Sequence, residues 1–88
     1  MAGRIDTDPD ALLAMARELK LASASIDGSI RKVRSALNNS RWNDNIRHDF
    51  EKNLEAIAKM AKQIETVSGE SQRMLTRKAQ QLQAYLGR

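Results

Sequence analysis

Apolar residues recur alternately every three and every four positions along most of this chain, with one interruption near the middle. The first run extends from about residue 9 to 38, and its seam contains Leu12, Ala16, Leu19, Ser23, Ile26, Ile30, Val33 and Leu37. The second run extends from about residue 44 to 86, and its seam contains Phe50, Leu54, Ile57, Ala61, Ile64, Ser68, Ser71, Leu75, Lys78, Leu82 and Tyr85. Such spacing places apolar side chains on one face of an α-helix. We therefore predict an all-α, antiparallel two-helix hairpin with a turn at about 39–43.

The second run becomes polar around Gly69, where two helices separated by a break are the alternative to one. No proline or asparagine accompanies this glycine, which favours a continuous helix. The polar seam residues Ser23, Ser68, Ser71 and Lys78 are expected either to tune the choice of partner or to mark a frayed end. In the first run, Gly28 is expected to mark a close helix approach or a slight bend.

The helix ends carry recognisable capping residues. Asp8, or alternatively Thr7, can cap the first helix, because Pro9 suits the first helical position. Residues 1–7 before it are expected to form a short arm. The second helix is expected to be capped by Asn43 or Ser40, with Asp44 near the positive end of the helix dipole.

The interruption contains the only tryptophan of the chain, Trp42, and is followed by the only phenylalanine, Phe50. Trp42 can cover the turn end of the hairpin by packing on Ile46 or Phe50. It can also be an exposed recognition anchor, since tryptophan is enriched among interface hot spots. We favour the packing role, and the two roles can coexist.

The 88 residues allow one domain, and only 3% of them are aromatic. Two helices of about 45 and 60 Å leave half of each apolar face uncovered, and the longer one must overhang the start of the shorter one. We therefore expect the hairpin to dimerise into a four-helix bundle. The residues expected in the core and dimer interface are Leu12, Leu19, Ile26, Ile30, Val33, Leu37, Phe50, Leu54, Ile57 and Ile64.

No constellation of residues indicates catalysis. The chain has one histidine, His48, and no cysteine, and it has no glycine-rich phosphate loop. We expect no enzyme activity, no metal and no cofactor. The net charge of +4 is mild, and the basic residues are interpreted as solvated helix faces, so no nucleic-acid partner is expected. No apolar run has the length of a membrane span, and no signal peptide is visible, so we expect synthesis in the cytoplasm.

The chain resembles the Trp-x-Gly (WXG) family of small helical-hairpin proteins handled by bacterial type VII secretion systems. The resemblance rests on the length, the start Ile5-Asp-Thr-Asp-Pro-Asp-Ala-Leu12, Trp42 at the turn and Phe50 eight residues later. The third motif position is Asp44 instead of glycine. The family's export signal, a tyrosine followed four residues later by an acid, is not intact at Tyr85.

The resemblance implies a non-enzymatic role as a secretion substrate, exported without a cleaved signal peptide, or as an escort for larger effectors. It implies a homodimer or heterodimer with a related hairpin, in which the turn with Trp42 contributes to a surface recognised by the secretion machinery. The alternative is a structural or adaptor helical-bundle module without a secretion role.

Overall fold

The chain forms two α-helices joined by a short turn, in a computed structural model that describes residues 8–87. Helix α1 spans Pro9–Asn39 and helix α2 spans Asn45–Tyr85. No strand occurs within these residues, which confirms the all-α hairpin. The turn, predicted at about 39–43, spans residues 40–44, because α1 continues through Asn39 and Asp44 precedes α2. The arm predicted for residues 1–7 lies outside the described residues.

The start of α1 follows the capping prediction. Asp8 has extended backbone angles and its Oδ1 accepts a hydrogen bond from the Asp10 amide at 2.9 Å. Pro9 occupies the first helical position, where a missing N–H costs nothing, and it is almost fully buried. The acidic Asp10 lies in the first turn, near the positive end of the helix dipole.

The two helices pack antiparallel in a fixed register. The Ser68 hydroxyl of α2 donates to the Leu19 carbonyl of α1 at 3.2 Å, and Arg34 Nη1 lies 3.0 Å from Glu55 Oε1. Near the chain ends, Leu12 packs with Ala79 and Leu82. Because α2 is the longer helix, about one turn of it extends past the start of α1. The molecule measures 63 × 20 × 17 Å.

The main buried cluster lies at the open end of the hairpin, away from the turn. It consists of Leu12, Ala79 and Leu82, with Leu13 and Leu75 packed against it. Leu37 and Leu54 are buried nearer the turn. These few side chains bury little apolar surface for a chain of this length, so the free energy of unfolding of an isolated hairpin is expected to be small.

One seam position of the second run was assigned wrongly. Lys78 is exposed, and Ala79 is the buried residue between Leu75 and Leu82, with 0% of its surface accessible. Leu75 and Leu82 are seven residues apart, so helical spacing allows either Lys78 or Ala79 as the seam residue between them. The small alanine side chain allows α1 to approach at this position, and a lysine there would have to bury its charge.

Helix α2 is continuous through Gly69, as favoured by the absence of proline and asparagine. The nearby Ser68 is buried and takes part in the helix contact, so the polar seam residues do not mark a frayed end. The expectation of close approach at Gly28 is wrong within the hairpin, because a Cβ atom added there would meet nothing within 4 Å.

Candidate functional site

The turn between the helices begins with a tightly closed end of α1. Both the backbone N–H and the Oγ of Ser40 donate hydrogen bonds to the Leu37 carbonyl, at 3.2 and 2.7 Å. Ser40 itself has extended backbone angles, so it directs the chain away from the helix axis. A carbonyl that would otherwise be left unsatisfied at the helix end is thereby bonded twice.

Asp44 is the N-cap of α2, which corrects the assignment of this role to Asn43 or Ser40. Its Oδ1 accepts hydrogen bonds from the amides of Ile46 and Arg47, at 3.0 and 3.1 Å. The same oxygen accepts the indole Nε1–H of Trp42 at 2.7 Å. One carboxylate oxygen therefore caps the helix and fixes the tryptophan.

The Trp42 ring is half-buried and packs on α2. Its centroid lies 5.9 Å from that of Phe50, with the ring planes tilted by 37°. Arg47 Nη1 donates to the Trp42 carbonyl at 2.7 Å, and Arg47 Nε lies 3.8 Å from Glu51 Oε1. Of the two packing partners predicted for Trp42, Phe50 makes the contact, whereas Ile46 is 65% exposed.

The position where the WXG motif has glycine does not need glycine in this chain. Asp44 has a φ of −135°, in the extended region that any residue adopts. The carboxylate supplies the capping oxygen that glycine lacks. The local structure of the turn therefore accounts for an acidic residue at this position.

An apolar face runs along one side of the hairpin and involves both helices. Two open grooves follow each other along it, and they share Met60 and Ile64. We define the apolar face by the large apolar side chains that line the two grooves, which are Leu19, Ile26, Ile30, Ile57, Met60, Ile64 and Val67. Val67 is 59% exposed, Met60 54% and Ile64 46%. A contiguous exposed patch of this kind marks an interaction site in soluble proteins.

The predicted interface residues divide into three groups by burial. Those buried between α1 and α2 are Leu12, Leu37 and Leu54. Those that are half-buried are Leu19, Ile30 and Phe50. Those that remain exposed are Ile26, Val33, Ile57 and Ile64. The prediction missed Ala79, and the signal for it was a small apolar residue four positions after Leu75 and three before Leu82.

His48 is exposed near the start of α2. Within residues 8–87, no three acidic or histidine side chains are grouped so that they could hold a metal ion. Neither described helix has a stretch that is both long and apolar enough to cross a membrane.

The geometry therefore identifies two features that can serve recognition, the apolar face and the fixed Trp42 turn. No protein-family model matches the chain, and neither a curated protein nor a solved structure matches it.

Proposed function

We propose that this protein is a non-enzymatic, WXG-like interaction protein, a substrate or an escort of a type VII secretion system. In this proposal the hairpin pairs through its apolar face with another helical hairpin to form a four-helix bundle. The turn with Trp42 then lies at one end of the bundle, where secretion machinery or an effector can bind it. Synthesis in the cytoplasm and export without a cleaved signal peptide belong to the same proposal.

The observation that carries the proposal is the exposure of the apolar face. On each helix, the exposed apolar row lies about a quarter-turn from the row that packs on the other helix. This is the arrangement at the corner of a four-helix bundle, where each helix packs on two neighbours. Covering the apolar face would remove Ile57, Met60, Ile64 and Val67 from water, each of which is 43% exposed or more, and burial of apolar surface drives association.

The turn supports the recognition part of the proposal. Three hydrogen bonds and the contact with Phe50 hold Trp42 and its surroundings in one arrangement. A large side chain that is already ordered loses little conformational entropy when a partner binds. The half-buried Trp42 thus packs on α2 and remains partly accessible to a partner.

Charged substitutions on the two sides of the hairpin test the role of the apolar face. We expect Ile64→Glu to abolish self-association or partner binding, measured by light scattering and by analytical ultracentrifugation, because it places a charge in the centre of the interface. Leu21→Glu is the matched control, since Leu21 is 61% exposed and lines neither groove of the apolar face. Equal behaviour of the two variants would refute the proposal.

A secretion assay separates the proposal from its alternative, a structural or adaptor bundle module. The N-cap role explains the presence of Asp44 without any part in secretion, and this favours the alternative. We expect the protein, or an effector bound to it, to leave the cell only when the type VII genes are intact. We also expect Trp42→Ala to reduce export while the bundle still forms. Export that does not depend on these genes would favour the alternative. So would a lack of export of both the protein and its effector.

A further inference from the structure

Acidic and basic residues are mixed along most of α2 but not in its last part. Residues 45–70 alternate between the two signs, and the acids among them are Asp49, Glu51, Glu55, Glu65 and Glu70. Residues 71–87 contain Arg73, Arg77 and Lys78 and no acidic residue. The positive charge of the second helix is therefore concentrated at the end far from the turn.

Exposed apolar side chains lie among these cations. Met74 is 65% exposed and Tyr85 is 68% exposed. Together with Gln81, they form one row along the helix, because they follow each other at seven and four residues. Arg77 and Lys78 flank this row on its two sides. We call these five exposed residues the basic end of α2.

The basic end is separate from the surfaces already described. In the same turns of α2, it is Leu75, Ala79 and Leu82 that pack towards α1. None of the five residues of the basic end lines a groove of the apolar face. Arg77 and Lys78 form no ion pair with another residue of 8–87. The basic end is thus available for a contact that does not depend on pairing through the apolar face.

The start of α1 brings acidic residues to the same end of the hairpin but not to the same side. The Asp8 carboxylate caps α1 by accepting the Asp10 amide. Leu12 packs on α2, and Asp10, two residues earlier, lies about 200° round α1 from it. Asp10 therefore lies on the side of α1 away from α2, and it leaves the positive potential of the basic end in place.

We propose that the basic end of α2 docks on the surface of a bilayer that contains anionic phospholipids. Cations that flank an apolar row are the arrangement with which an amphipathic helix lies in the headgroup region. Arg77 and Lys78 reach the lipid phosphates, while their alkyl stems lie along the apolar row. Met74 and Tyr85 enter the boundary between headgroups and acyl chains, where the tyrosine hydroxyl stays in contact with water.

The chemistry of the basic end favours a lipid surface over an acidic protein segment. Arg73, Arg77 and Lys78 make no side-chain hydrogen bond within residues 8–87, so no neighbour fixes their charged groups in one geometry. Paired recognition of a single carboxylate depends on such a fixed geometry. A headgroup layer presents many phosphates and attracts cations in any arrangement. The exposed apolar row between the cations also fits the acyl boundary.

Vesicle flotation with matched double variants tests the proposal. We expect the full chain to bind vesicles made of equal parts phosphatidylglycerol and phosphatidylcholine, but not vesicles of phosphatidylcholine alone. Arg77→Gln combined with Lys78→Gln should weaken binding about thirtyfold, since each cation contributes a factor of about five. Lys52→Gln combined with Lys59→Gln is the control, because it removes two exposed cations of the same helix nearer the turn. Equal weakening by both double variants would overturn the inference.

Tryptophan fluorescence tests which end of the hairpin meets the membrane. Trp42 lies at the turn, at the opposite end of α2 from Tyr85, so anionic vesicles should leave its emission unchanged. We expect Tyr85→Trp to add a component that shifts to shorter wavelength when the same vesicles are added. A shift of the Trp42 emission without a shift from position 85 would overturn the inference.

Other polyanions provide the final comparison. Binding to polyglutamate or to duplex DNA, without binding to anionic vesicles, would overturn the inference in favour of an acidic macromolecule. Ile64→Glu is expected to leave vesicle binding intact, because Ile64 lies on the apolar face and not at the basic end. Loss of vesicle binding in this variant would also overturn the inference, since it would place the membrane contact on the apolar face.

Discussion

At the scale of single residues, the turn depends on one carboxylate. Asp44 Oδ1 accepts hydrogen bonds from the Ile46 and Arg47 amides and from the Trp42 indole. The first two bonds begin α2, and the third positions the side chain that we propose for recognition. Removal of this carboxylate therefore affects helix stability and the environment of Trp42 together.

We predict that Asp44→Ala lowers the free energy of unfolding by about 1–2 kcal/mol, the usual cost of losing an N-cap. Urea denaturation at one fixed protein concentration measures the change. Because Trp42 is the only tryptophan, its fluorescence should also shift to longer wavelength as its ring loses order. Asn43→Ala is the matched control, since Asn43 is exposed in the same turn and is not the cap. A similar loss in both variants would contradict the prediction.

The sequence predicted one cap and missed the other for a physical reason. Pro9 fixes where α1 begins, so Asp8 could be identified as its cap. Before α2, the three residues Ser40, Asn43 and Asp44 all have side chains that cap helices. Only the path of the backbone decides among them, and that path depends on the Ser40 contacts with α1.

At the scale of the helices, small and polar residues set the register. Ala79 is fully buried, and the Ser68 hydroxyl donates to the Leu19 carbonyl and accepts from Gln72 Nε2 at 3.1 Å. A buried hydroxyl needs such partners, and sliding α2 along α1 would take its O–H away from the Leu19 carbonyl that accepts it. Apolar periodicity predicted the helices and their faces. It could not predict the register, because this depends on contacts between residues far apart in sequence.

Enlarging the buried alanine tests the close packing of the open end. We predict that Ala79→Leu lowers the free energy of unfolding by about 1–3 kcal/mol, because the added atoms force Leu12 and Leu82 apart. Ala24→Leu is the control, since Ala24 is exposed on α1 and leucine is nearly as good a helix former as alanine. Thermal unfolding followed by circular dichroism compares the two. A neutral effect of Ala79→Leu would show that the open end is loosely packed.

The glycine at position 28 should be replaceable with a gain in stability. A Cβ atom at Gly28 would meet nothing within 4 Å, and the residue is helical. We predict that Gly28→Ala raises the free energy of unfolding by about 0.5–1 kcal/mol through helix propensity. Chemical denaturation measures the gain. A loss of stability would mean that another chain packs closely on this position.

At the scale of the whole molecule, the hairpin leaves the apolar face exposed to solvent. Its buried residues lie mainly at the two ends, whereas the middle presents the apolar face to solvent. The sequence predicted the hairpin, and the pairing with a partner stays a prediction. It could not separate the residues buried within the hairpin, such as Leu54, from those left exposed, such as Ile57. Both kinds share the same heptad pattern, and only the orientation of each helix distinguishes them.

Self-association through the apolar face, as proposed above, makes the stability of the hairpin depend on protein concentration. We predict that tenfold dilution lowers the unfolding midpoint by about 2–6 °C, since the change in concentration is worth about 1.4 kcal/mol for a dimer that unfolds to two chains. Differential scanning calorimetry over a hundredfold range of concentration measures the shift. Leu21→Glu should keep the dependence, and Ile64→Glu should lose it together with the higher midpoint. A cooperative transition whose midpoint is the same at every concentration would mean that the few contacts between α1 and α2 suffice, and that the apolar face contributes nothing to folding.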